Sequence, residues 1–219
     1  MTTTSDVQAF RKERYKILAE VLAPALEQRN YEVHVCESSA EALRTAVSLM
    51  PAGSSVAWGG SASVEQIGLL DAVRNGDYVR YDRETARTPD EREDVIRKAF
   101  FADYYLTSFN GVSLNGMVYN ADGMGNRVAA ITYGPRNVIA VVGMNKVCHS
   151  EEGARERATG EAAEVNAVRF KKGSTLFTDE DVTDDVPVKD RICNYIEQIA
   201  WCREKGRIKV ILVCEDLGF

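Results

Sequence analysis

Apolar residues recur at two periods along this chain, and the switching between them predicts its elements. Phe10, Ile17, Leu18, Val21, Leu22, Ala25 and Leu26 are spaced by three, four and seven. That spacing predicts an amphipathic helix over 6–29, inside an N-terminal helical segment 1–30. Pro24 stands near its end, where it bends or stops a helix. Tyr31, Val33 and Val35 alternate with Glu32, His34 and Cys36, the period of a strand. Ser38, three residues before Glu41, opens a helix reaching Met50 with a capping box. Residues 55–58 form a short apolar strand that runs into Gly59-Gly60-Ser61-Ala62-Ser63 and a helix over 63–74.

The pattern continues with a strand over 78–81 and a helix to about residue 101. Thr88-Pro89-Asp90-Glu91 caps that helix with a proline at its first position. A strand follows over 104–108. Leu114-Asn115-Gly116-Met117 predicts a hairpin with a type I′ turn. Residues 126–133 read as a short helix stopped by Gly134-Pro135, and 138–142 as a strand buried on both faces. Helices are predicted over 150–168 and 190–204, with an exposed acidic loop across 171–189 between them. Residues 208–214 form a final strand. Strands and helices alternate, so a parallel or mixed sheet covered by helices is the expected architecture. The absence of repeats and low-complexity linkers makes 1–219 a single domain in this reading.

Composition narrows the function classes. Hydrophobic content is 45% and charged content 27%, ordinary for a globular chain. The net charge of −6 and pI near 5.1 argue against nucleic-acid and membrane-surface binding. No apolar run approaches the roughly 20 residues that span a bilayer, and the polar N-terminus lacks a secretory h-region. The expected location is the cytoplasm. Cys36, Cys148, Cys193, Cys202 and Cys214 are odd in number and scattered, which fits free thiols. They form no Cys-x-x-Cys pair, and His34 and His149 have no partner spacing. No metal site and no cofactor is predicted.

Two loops carry the candidate chemistry. Gly59 and Gly60 follow a buried strand and allow close backbone approach. Ser61 and Ser63 add hydroxyls at a helix start, where an anion is favoured. The plainer alternative is a strand-to-helix turn capped by Ser63 with Gln66. The second loop, 115–146, holds Asn120, Asp122, Gly123, Gly125, Asn126, Arg127, Gly134, Asn145 and Lys146. Asp122 is a candidate base, and Arg127 and Lys146 are candidate anion ligands. The plainer alternative makes Asp122 and Asn126 turn and cap residues. Glu215 closes the last strand as a further candidate carboxylate. Cys193 reads as a small buried hydrophobe.

Several segments together resemble the lactate-utilisation (LUD) domain family. They are Trp58-Gly59-Gly60-Ser61-Ala62-Ser63, Thr107-Ser108-Phe109-Asn110, Asn115-Gly116, Asp122-Gly123-Met124-Gly125-Asn126-Arg127-Val128-Ala129-Ala130, Tyr133-Gly134-Pro135, Val142-Gly143-Met144-Asn145-Lys146 and Arg191-Ile192-Cys193-Asn194, with the tail 206–218. The resemblance covers nearly the whole chain in order. It implies a three-layer α/β/α sandwich of the NagB/RpiA/CoA-transferase-like type, a small anionic metabolite as ligand, and iron–sulfur partner subunits in lactate or organic-acid oxidation. Many relatives carry cysteines in the segment that corresponds to 171–189. This chain has none there, so the resemblance does not extend to a cluster-linked role. The predicted anion ligands are Gly59, Gly60, Ser61, Ser63, Asn110, Gly125, Asn126, Arg127, Gly134 and Asn145; the predicted catalytic residues are Asp122, Lys146 and Glu215. A free-standing sugar-phosphate isomerase-like or CoA-transferase-like enzyme, a non-catalytic subunit of a redox complex, and a homo-oligomer all stay open.

Overall fold

The computed structural model describes residues 4–170 and 191–219. The acidic stretch 171–189 lies outside the described residues. The elements run α1 (Thr4–Glu27), β1 (Glu32–Cys36), α2 (Ser39–Ser48), β2 (Ser55–Trp58), α3 (Ala62–Gln66), α4 (Leu69–Asn75), β3 (Val79–Tyr81), α5 (Pro89–Lys98) and β4 (Tyr104–Thr107). Then follow β5 (Gly111–Ser113), β6 (Val118–Asp122), α6 (Asn126–Tyr133), β7 (Asn137–Gly143), β8 (Val147–Cys148), α7 (Glu151–Thr159), α8 (Glu161–Arg169), β9 (Tyr195–Ile199) and β10 (Ile208–Val213).

Six strands form one parallel sheet in the order β1-β10-β7-β4-β2-β3. Val138 to Val142 of β7 are fully buried, as the unbroken apolar run predicts. Strand alternation sends Val138, Ala140 and Val142 into a core shared with α1 and α6. Ile139 and Val141 enter a second core under α2, α3 and α4. Helices therefore cover both faces, the α/β architecture expected from the sequence.

A smaller sheet, β8-β5-β6-β9, stands beside the first. Its strand β9 corrects the helix predicted over 190–204. Residues 195–199 pair antiparallel with 118–122, so Tyr195 opposes Asp122 and Ile199 opposes Val118. β9 lies at the sheet edge with Tyr195 and Ile196 half exposed, so its apolar residues follow neither period cleanly.

Glycines account for other departures. Gly68, with φ of +78°, ends α3 and starts α4, splitting the helix predicted over 63–74. Gly160 divides the predicted helix 150–168 into α7 and α8. The 114–117 turn does join β5 and β6, but only Gly116 has positive φ. The Gly116 amide donates to Ser113 O at 2.8 Å and the Ser113 amide to Met117 O at 2.9 Å, so the glycine forms a bulge and not half of a type I′ turn. In α1 the buried stripe is Tyr15, Ala19, Leu22 and Leu26, while Phe10, Ile17 and Val21 face outward.

Candidate functional site

The carboxyl ends of β3, β2, β4 and β7, four neighbours in the parallel sheet, open onto one cleft of about 920 Å³. Ligands in open parallel sheets gather at this edge. Each strand delivers at least one group there. Arg83 follows β3, Gly60 and Ser61 follow β2, Ser108 follows β4, and Lys146 follows β7. The far wall comes from the β6–α6 loop, the end of α8 and the 191–195 segment.

Lys146 is the most unusual of these groups. Its side chain is buried, with 3% of the residue exposed. The Nζ atom donates to Ser63 Oγ at 2.9 Å and Ser108 Oγ at 3.0 Å. Among the described residues no carboxylate forms an ion pair with it. Burial lowers its pKa from 10.5 to about 7, and the nearby Arg157 and Arg127 charges add to the effect. The two serine hydroxyls have carbonyl acceptors of their own, Leu217 O for Ser63 and Phe109 O for Ser108, each at 3.3 Å.

Asp122 and Arg127 form the second feature. Arg127 Nε lies 2.8 Å from Asp122 Oδ1, with both side chains about nine-tenths buried. Asp122 Oδ2 also accepts from the Arg127 and Val128 amides at 2.9 and 3.1 Å, which caps α6. The guanidinium continues to Asn110 Oδ1, Asn120 Oδ1, Ser108 O and Ala121 O. The loop thus closes around one arginine, with Gly125 in the left-handed region at φ +80° and the Tyr195 ring packed against it. Gly59 is required nearby: a Cβ there would meet Tyr105 Oη at 2.9 Å and the Arg127 methylenes at 3.2 Å.

The structure brings Gly60, Ser61, Asn110, Asp122, Asn126, Arg127 and Lys146 to the cleft wall. Ser63 stands behind Lys146, and Gly59 and Gly125 shape the loops. Ser61, not Ser63, caps α3, accepting from the Val64 amide. With five residues α3 contributes little dipole, so the glycine loop offers hydroxyls and backbone and not a strong helix terminus. Three predicted residues lie elsewhere. Glu215 accepts from Ser39 N at 3.1 Å and from Ser39 Oγ, at the start of α2. Asn145 Oδ1 accepts from the Leu217 amide. Gly134 ends α6 beside Arg207, which bonds Ala130, Ile131 and Pro135 carbonyls.

Sequence reasoning missed Ser108 as a site residue and the arginines Arg83, Arg92, Arg169 and Arg191. Arg83 carries the same signal that marks Lys146, a position just past a parallel strand. Arg169 lies between the Phe170 and Phe219 rings, at 5.3 and 5.9 Å from their centroids. Among the described residues, five arginines and Lys146 line the cleft and Asp122 is its one side-chain carboxylate. No cluster of three or more His, Cys, Asp or Glu side chains gathers among the described residues in a metal-holding group. No helix among them is long and apolar enough to cross a membrane.

Fold and cleft together define an α/β protein with a cationic, partly apolar cleft at the carboxyl edge of a parallel sheet. The chain belongs to the LUD domain family, which matches residues 19–213. Membership supports a lactate-utilisation-related role. The crystal structure of a DUF162 family protein from Deinococcus radiodurans is similar, with a TM-score of 0.51 and 13% identity over 91% of this chain and 98% of that one. No curated protein matches the chain.

Proposed function

We propose that this chain binds a small organic anion in the cleft, within its lactate-utilisation-related role. The observation that carries this reading is the charge of the lining. Among the described residues five arginines converge with one side-chain carboxylate, on a chain whose net charge is −6. The anionic partners of Arg83, Arg92 and Arg169 lie outside the lining and are surface pairs. Glu84 meets Arg83 at 3.1 Å and Arg92 at 3.5 Å, and Glu65 meets Arg169 at 3.9 Å. Such exposed pairs contribute little and are readily exchanged for a bound carboxylate, which an arginine fork matches. The volume lies in the range of small-molecule sites, roughly 300–1,000 Å³. Phe109, Met124, Phe170, Tyr195 and Phe219 supply apolar wall.

In this reading Asp122 braces Arg127 and α6, since both of its oxygens are already occupied by donors. Glu215 instead faces α2, where it accepts from Ser39. Arg83 and Arg169 hold the anion, Gly60 leaves it room, and Lys146 and Ser108 form the polar floor. Calorimetric titration with lactate, pyruvate and inorganic phosphate tests this. Binding of a carboxylate should weaken about tenfold, about 1.4 kcal/mol, in Arg83→Ala and in Arg169→Ala, and should weaken further with salt. Absence of anion binding, or unchanged affinity in both variants, overturns it.

A further inference from the structure

Lys146 has a geometry that anion binding alone does not use. An ammonium at this depth would need a counter-charge, and the residues around it are two hydroxyls and two guanidinium groups. The neutral amine fits instead. It has two N–H bonds and one lone pair. Ser63 and Ser108 accept the two N–H bonds, and their own hydrogens are directed to the Leu217 and Phe109 carbonyls. The lone pair is the valence that remains, on a side chain that lines the cleft. Gly218 passes over the amine so closely that a Cβ there would lie 3.1 Å from Nζ.

We propose that Lys146 forms an imine with a carbonyl compound that carries an anionic group, of the 2-oxo acid class. The proposal rests on the anion-binding reading of the same cleft, with the rim arginines taking the carboxylate and Lys146 the carbonyl. The lone pair on Nζ attacks the carbonyl carbon, forming a C–N bond and moving the π pair onto oxygen. A proton passes from nitrogen to that oxygen, with the Ser108 hydroxyl 3.0 Å from Nζ placed to relay it. The carbinolamine then loses its hydroxyl with one further proton as water, leaving C=N. One water leaves, and no oxidant or reductant is consumed. Desolvation without an adjacent carboxylate is the usual way a lysine is made nucleophilic near neutral pH.

The test uses the full chain with pyruvate and glyoxylate, then borohydride to reduce any imine to a stable secondary amine. Intact mass should show one adduct per chain, and peptide mapping should place it on Lys146. Acetone, which has the carbonyl without the anion, should give at least tenfold less. Lys146→Met and Lys146→Arg should both lose the adduct, while Ser108→Ala should keep the site and slow its formation. An adduct confined to exposed lysines such as Lys98 and Lys205 overturns the proposal. Calorimetry on the same samples separates the two readings. Carboxylate binding without trapping removes the imine and leaves anion binding standing; neither binding nor trapping removes both.

Discussion

Replacing Lys146 with methionine should stabilise this protein at neutral pH. The folded lysine titrates near 7 and the unfolded one near 10.5. Each pKa unit corresponds to about 1.4 kcal/mol, so at pH 7 the amine destabilises the fold by about 4–5 kcal/mol. Its bonds to Ser63 and Ser108 offset about 1 kcal/mol each. Methionine fills nearly the same volume without a polar atom. The net gain is about 2 kcal/mol, which raises Tm by about 4–8 °C in a chain of this length.

The pH dependence separates this cause from ordinary repacking. Between pH 7 and 10.5 the unfolded chain holds a proton at Lys146 that the folded chain has released. Wild-type stability therefore gains with rising pH across that window, and the Lys146→Met variant lacks this gain. Arg157 and Arg127 are the charged neighbours that add to the shift. The variant's advantage is full below pH 7, shrinks above it, vanishes near pH 9, and has become a deficit of about 1–2 kcal/mol by pH 10.5. Urea unfolding of both proteins at pH 7 and 10 reads the difference directly. A variant less stable at pH 7, or a difference equal at both values, would refute the buried neutral amine.

Three further outcomes follow from the same geometry. Arg127→Ala should destabilise by about 3–5 kcal/mol in urea unfolding, because it leaves Asp122 buried and unpaired; the double variant Asp122→Asn/Arg127→Ala should lose less than the two single losses added together. Gly125→Ala should lower stability by about 1–3 kcal/mol, since its φ of +80° disfavours a side chain and the new Cβ would lie 3.0 Å from the Tyr195 ring; thermal melts check it, and an unchanged Tm would contradict the packing described. Glu215→Ala should lose about 1 kcal/mol of stability by freeing the Ser39 amide, while leaving carboxylate affinity in calorimetry unchanged.

The elements that were legible are those whose local signals agree. Asn126–Tyr133 has apolar spacing, a glycine before it and Gly-Pro after it, and it folds over those residues. The all-apolar run in β7 marked a strand buried on both faces, and that alone placed Lys146 at the carboxyl edge of the sheet. The region 190–204 was misread because β9 pairs with β6, more than seventy residues away, and neither half-exposed face carries a clean period. Apart from Arg83, which follows β3, the arginines of the rim left no pattern because tertiary structure assembles them from α5, α8 and the 191–195 segment.

Position along a strand was easier to read than the direction of a side chain, and Glu215 shows why. Both Glu215 and Lys146 follow central strands at the same edge of the sheet, so both qualified as site residues by position. Parity separates them. Val213 enters the core under α2, and Cys214 enters the opposite core with α1. Continuing the alternation past β10, residue 215 returns to the α2 side, where its carboxylate meets Ser39. Lys146 escapes this rule because a turn of 3₁₀ helix, Met144–Lys146, intervenes after β7 and carries the side chain back under the glycine loop to Ser63 and Ser108. A residue still in strand register inherits its face from its neighbours; one that has left it can be directed into the cleft.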